Sequence, residues 1–102
     1  MTRGAPAGDV RPAPDSELSA PPRELAWPGA PGATGYRVRL YDARAEPLWE
    51  SGLLEEPRIE VPTEAISIME AAGEGAAFLW TVEIEGPPTR DPLGPFWFRV
   101  AP

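Results

Sequence analysis

The chain contains no cysteine, histidine, lysine, asparagine or glutamine, and each absence removes a class of chemistry. Without Cys or His there is no thiol nucleophile, no imidazole base, no disulfide framework and none of the usual ligand sets for zinc, haem or iron–sulfur clusters. Without Lys there is no P-loop amine to meet a nucleotide phosphate and no Schiff-base nucleophile. Without Asn, N-linked glycosylation is excluded. All nine basic residues are arginine in a chain rich in Ala, Gly and Pro, the pattern of a coding sequence rich in G and C, which accounts for much of the Lys and Asn deficit. No cofactor is expected from what remains.

The charge balance is one-sided. Sixteen acidic residues against nine basic ones give a formal net charge of −7, the opposite of the basic stripe with which a nucleic-acid binder releases counterions. Anionic membrane surfaces are disfavoured for the same reason. No window approaches the roughly twenty apolar residues of a membrane span, and the first residues lack the apolar run of a signal peptide. With Met1 as the native start, the chain reads as a cytoplasmic module without direct membrane insertion. A Pro- and Ala-rich leading stretch is also what joins an outer domain to an upstream anchor, and this gives the other reading, the extracytoplasmic domain of a membrane-tethered protein.

That leading stretch divides the chain. Between Met1 and Pro22 stand five prolines (Pro6, Pro12, Pro14, Pro21, Pro22) and only two larger aliphatics, Val10 and Leu18. So little apolar surface does not offset an ordering cost of roughly 1–2 kcal/mol per residue. Residues 1–21 are therefore expected to be a disordered tail or tether, with Asp15 to Ser19 as the place where a short edge strand would join, and residues 22–102 one domain.

Within the domain the apolar period is two, the signature of half-buried strands. Strands are predicted over Arg23 to Trp27, Gly35 to Asp42, Leu48 to Ser51, Arg58 to Val61, Ala76 to Glu85 and Phe96 to Ala101, separated by turn signals such as Pro28-Gly29, Pro31-Gly32 and Gly86-Pro87-Pro88. Between Thr63 and Ala72 the period changes: Ala65, Ile66, Ile68, Met69 and Ala72 fall at helical spacing, Thr63 is placed as the N-cap and Gly73 as the stop. The inward set is Leu25, Trp27, Tyr36, Val38, Leu40, Ile59, Val61, Ile66, Met69, Phe78, Trp80, Val82, Ile84, Phe96, Phe98 and Val100. Short strands at this spacing predict an all-β, antiparallel two-sheet sandwich of six or seven strands with a short helical turn before the sixth.

At these residues the chain resembles the fibronectin type III family of immunoglobulin-like sandwiches, in its divergent bacterial form. Trp27 matches the Trp that closes the family's second strand, Gly35 to Leu40 its Gly-Tyr-x-Val-x-Leu third strand, Phe78 to Val82 its aromatic-x-Trp-x-Val sixth strand, and Phe98-Arg99-Val100 the end of its last. The resemblance spans Pro22 to Ala101. It departs at Phe78, where the family often has a Tyr whose hydroxyl forms a tyrosine corner. What it implies is a non-catalytic spacer or protein-interaction module, of the kind found as an outer domain of larger bacterial regulatory or surface proteins, and no catalytic residue set.

The resemblance also sets the third, sixth and last strands side by side. Arg37, Arg39, Tyr41, Leu79, Thr81, Trp97 and Arg99 would then share one outer face, built from the residue types enriched in binding hot spots. The competing reading pairs Arg37 and Arg39 with Glu83 and Glu85 across strands, under Trp97 and Tyr41. An exposed edge strand offers a second route, self-association. Trp49 and Trp97 are the alternative sugar-stacking platform, against Trp49 as a lid on the core. Glu55, Glu56 and Glu60 are read as a solvated acidic edge, since no Asp-x-Asp-x-Asp-Gly loop converges oxygens on a cation. The partner expected for this surface is another protein.

Overall fold

The computed structural model describes residues 10–73, 75–87 and 90–101. The elements run β1 (Ser16–Leu18), β2 (Glu24–Ala26), β3 (Gly35–Asp42), β4 (Pro47–Glu50), β5 (Arg58–Glu60), α1 (Thr63–Ala71), β6 (Ala77–Glu85) and β7 (Leu93–Val100). Alternation decides the central strands. In β3, Tyr36, Val38 and Leu40 point to the core while Arg37, Arg39 and Tyr41 are half-exposed. In β6, Phe78, Trp80 and Val82 do the same. Five strands form one sheet in the order β1-β7-β6-β3-β4, and β2 and β5 form the second.

The core lies between the sheets. Trp27, just past β2, meets Tyr36 of β3 and Trp80 of β6 edge-on, at ring-centroid distances of 5.6 and 6.2 Å. Phe78 and Phe98 pack at 5.6 Å and Trp80 and Phe96 at 5.0 Å. Each fully buried side chain of this kind contributes about 1.5–3 kcal/mol. Ala65 and Met69 of α1 are buried in the same cluster, with Val61. Tyr36 carries a hydroxyl into this core, and its Oη accepts the Ala30 N–H at 3.0 Å, pinning the loop between β2 and β3.

Two bulges shape the long sheet. Trp80 pairs with Phe96 and Val82 with Leu93, so Thr81 alone faces both Gly94 and Pro95. The extra residue lets Leu93 and Phe96 both pack on the core despite their odd spacing. It also carries β7 back to Leu93, three residues before the expected start at Phe96. In β4, Trp49 pairs with Leu40 and Pro47 with Tyr41, which makes Leu48 the second extra residue.

The structure corrects three expectations. The sandwich is not wholly antiparallel, because β1 runs parallel to β7, with Ser16, Glu17 and Leu18 opposite Phe98, Arg99 and Val100. Second, the segment expected as a tail is paired from Arg11 on: β1 forms within Asp15 to Ser19, where a short edge strand is expected to join, and belongs to the long sheet, and Arg11 bridges Ala26 at the end of β2. Main-chain pairing with a ready edge ordered this segment, something that its own apolar content did not reveal. Met1 to Asp9, the rest of the expected tail, lies outside the described residues. Third, Thr63 is the first helical residue and Pro62 the N-cap, with no side-chain capping bond. Proline suits this junction because its missing N–H is an orphan at a helix start in any case. No helix among the described residues is long and apolar enough to cross a membrane.

Candidate functional site

The outer face of the five-stranded sheet is ruled into rows by its register. Arg37 of β3 lies opposite Glu83 of β6, and Arg39 opposite Thr81. In the next row Tyr41, Leu79 and Trp97 are consecutive partners across β3, β6 and β7. Beyond it, Ala77 is the partner of Arg99, and Arg99 of Glu17 in β1. The six residues expected at a protein-binding face, Arg37, Arg39, Tyr41, Leu79, Trp97 and Arg99, therefore share one surface. They do not converge on a point. At about 3.3–3.4 Å per residue, the Arg37 row and the Arg99 row are about 20 Å apart, with the apolar row between them.

The arginines of β3 are already partnered. Arg37 Nε lies 3.5 Å from Glu85 Oε2, Arg39 Nη1 3.0 Å from Glu83 Oε2, and Arg39 Nε 3.4 Å from Glu50 Oε2. Both main pairs are diagonal, one register step from the residue directly opposite, because the long guanidinium arm leans along the strand. Glu83 first and then Glu50 raise the Arg39 guanidinium above its ordinary pKa. These side chains are 36–48% exposed, so water screens the pairs and their main effect is to fix where the arms lie. The cross-strand reading of Arg37 and Arg39 is the one the geometry supports, and it takes them out of the set of free cations. Arg99 is exposed and makes no ion pair among the described residues.

Trp97 stands out on this face. It is 38% exposed, and with Leu53 it makes up the exposed large apolar residues among those described. Leu53 lies elsewhere, over Gly35 beside β3, where a Cβ would come within 2.7 Å of Leu53 Cδ1. Trp97 is instead held inside the sheet, one strand from its edge, by pairing on both sides, with Leu79 in β6 and with the Asp15 N–H, which donates to Trp97 O at 2.8 Å. Asp15, Ser16, Glu17, Trp97 and Arg99 line an open depression there. Asp15, Ser16 and Glu17 are not among the surface residues expected from sequence: Asp15 to Ser19 reads as a short edge strand, and it is the parallel pairing of β1 on β7 that sets them beside Trp97.

Trp49 is not part of this surface. Its register partner is the buried Leu40, and it packs half-buried against the core. Trp49 and Trp97 are thus on opposite faces of one sheet and form no common sugar platform. The β4 bulge is the reason. Continuing the Tyr41–Pro47 pairing without it would set Trp49 opposite Arg39 on the outer face; the extra Leu48 turns Trp49 inward. Glu55, Glu56 and Glu60 are exposed on the other sheet's side. Arg58 lies 3.4 Å from Glu56 and 4.0 Å from Glu24, and no group of acidic residues among the described ones is arranged to hold a metal ion.

The edge strands are poorly suited to recruiting another chain. β1, β4 and β5 are three or four residues long. Pro47 opens β4, and Pro57 and Pro62 flank β5. Proline and a bulge interrupt the donor pattern that an incoming strand would need.

Two facing sheets, a chain that passes from one to the other at both β1–β2 and β4–β5, and a core Trp bridging them define an immunoglobulin-like β-sandwich. No protein-family model and no curated protein sequence matches the chain. Among solved structures, the chain is similar to CopC from Methylosinus trichosporium OB3b, with a TM-score of 0.58 and 16% sequence identity over 92% of this chain and 90% of that one. At that identity the likeness shows the fold.

Proposed function

We propose that the chain is a non-catalytic protein-interaction module whose working surface is the outer face of the five-stranded sheet, centred on Trp97. The observation that carries this reading is the unbroken apolar row Tyr41–Leu79–Trp97, ending in an exposed indole with the unpaired Arg99 one step along the same strand. Trp and Arg together supply the desolvated anchor and the directional donor typical of interface centres. The ion-paired Arg37, Arg39, Glu83 and Glu85 beside them form a polar rim. The bulged and proline-bounded edges favour this face over edge-strand self-association, and the separation of Trp49 from Trp97 removes the support for carbohydrate stacking. Nothing on this surface depends on a reducing or an oxidising compartment, so a cytoplasmic module and the outer domain of a tethered regulatory or surface protein use it alike.

The test compares wild-type protein with Trp97→Ser and Arg99→Glu as baits in extracts of the cells that make it, with captured proteins quantified by mass spectrometry. The expected result is a protein enriched by wild type and depleted by both variants, at unchanged thermal midpoints. Equal capture by all three baits removes this face as the binding surface.

A further inference from the structure

The apolar row on the outer face extends past Tyr41, Leu79 and Trp97 at both ends. Pro47 of β4 is the register partner of Tyr41, and Asp15, just before β1, donates its N–H to Trp97 O at 2.8 Å. The row therefore crosses all five strands as Pro47, Tyr41, Leu79, Trp97 and Asp15, apolar from the β4 edge and closed by a carboxylate at the β1 edge. With neighbouring strands about 4.8 Å apart, it is about 19 Å long, the reach of roughly six residues of extended chain. Tyr41 and Leu79 are half-buried, and Pro47 and Trp97 are exposed. Trp97 enters none of the ring contacts among the described residues, so its indole is unengaged.

Charge differs along this row. Beside its Tyr41–Leu79 half, Arg37 and Arg39 are already held by Glu85, Glu83 and Glu50. At the β1 end, Asp15 and Glu17 are exposed and join none of the ion pairs among the described residues. Arg99 faces Glu17 in the register, yet no ion pair joins the two. The depression shared by Asp15, Glu17, Trp97 and Arg99 thus sets an open indole beside two unneutralised carboxylates. The negative face of an indole attracts a cation more strongly than any other side-chain ring, and the carboxylates add Coulomb attraction of the same sign. A neutral or anionic occupant gains neither. A second copy of the chain brings a further −7 and the same free carboxylates, so like charge opposes it.

We infer that the occupant of this face is a basic–apolar peptide segment of a partner protein. Its apolar side chains lie along Pro47, Tyr41 and Leu79, and an arginine or lysine seats on the Trp97 indole beside Asp15 and Glu17. Arg99, next along the same face of β7, donates to a carbonyl or carboxylate of the segment. The inference rests on the Trp97 face being the binding surface and adds the chemistry of what binds there. The carboxylates are exposed, so their share of the attraction weakens with salt.

The probe is a displayed library of random linear peptides, selected in parallel on wild-type protein and on Trp97→Ser. Sequences retained by wild type and lost on Trp97→Ser are expected to be enriched in Arg or Lys next to apolar residues. For such a peptide, the Asp15→Asn/Glu17→Gln variant should weaken binding about threefold or more at low salt, and the difference should shrink in about 1 M salt. Asn tolerates the left-handed φ of +63° at Asp15, and an unchanged thermal midpoint checks that the variant is folded. Exchanging the peptide's cation for Met reads the same contact without touching the protein, and should weaken binding to wild type about fivefold. Trp97-dependent peptides with no preference for a cation, or an affinity indifferent to both the double variant and the Met exchange, overturn this inference and leave the Trp97 face standing. Absence of any Trp97-dependent peptide overturns the inference and the face together.

Discussion

Ser51 is joined to Val38 twice: its backbone N–H donates to Val38 O at 2.9 Å, and its hydroxyl accepts the Val38 N–H at 2.9 Å. The same hydroxyl donates to Gly52 O at 2.8 Å. Ser51 is the buried polar residue among those described, 6% exposed, and its side chain continues the β3 ladder where the chain is leaving the edge after β4.

Ser51→Ala is therefore expected to destabilise the fold by about 1–3 kcal/mol, since it strands the Val38 N–H inside the protein. For a domain of this size each kcal/mol lowers the midpoint by about 4–8 °C. Urea and thermal unfolding measure both, and a change within error would mean that water reaches the stranded N–H.

Gly94 sits at φ +96° in the β7 bulge, and a Cβ there would meet Trp80 O at 2.8 Å. Gly94→Ala is expected to cost about 1–3 kcal/mol through backbone strain alone, with Trp80 fluorescence shifted as its carbonyl is displaced. Gly52→Ala is the control. A Cβ at Gly52 meets nothing within 4 Å, and the expected change is within about 0.5 kcal/mol.

Trp80 and Trp97 are predicted to separate stability from binding. Trp80 is fully buried and Trp97 is 38% exposed. Trp80→Ala should lose about 3–5 kcal/mol by cavity formation and lost burial, whereas Trp97→Ala should leave the unfolding midpoint nearly unchanged. A large loss of stability in Trp97→Ala would make that indole a structural cover and would remove it from the binding face.

Arg39→Glu places a third carboxylate between Glu83 and Glu50, which now flank a guanidinium. The variant should melt below wild type at low salt, and most of the difference should vanish in about 1 M salt, where the screening length is about 3 Å. Arg39→Met, which removes charge without reversing it, should lie between. The sign of the pH dependence follows from the raised pKa: the folded state holds the Arg39 proton more tightly, so its contribution is complete below the unfolded pKa and is lost only as pH rises through the folded value. A midpoint that moves between pH 6 and 9 would have to come from another group.

Much of the sandwich was legible because alternation is a local property. Tyr36, Val38 and Leu40, and Phe78, Trp80 and Val82, announce their faces within a few residues, and β3 spans the stretch that its pattern marked. The helix was legible from its change of period, though not its cap, since Pro62 took the place that hydrogen-bonding preference gave to Thr63. Side-by-side placement of Arg37, Arg39, Tyr41, Leu79, Trp97 and Arg99 also followed, once β3, β6 and β7 were adjacent. The choice between free and paired arginines did not follow, because it depends on diagonal reach across a twisted sheet.

The sequence by itself determined what chemistry is missing, which strands alternate and which faces of β3 and β6 enter the core, since composition and period need no neighbour to be read. Tertiary structure decided the rest through single-residue events that no periodicity encodes. One extra residue at Leu48 turned Trp49 inward, one at Gly94-Pro95 let Leu93 and Phe96 share the core, and a parallel pairing on β7 drew Ser16–Leu18 into the sheet. Side chains in a strand alternate with a period of two, so a shift of one residue exchanges the faces, and only the partner strand fixes where that shift falls.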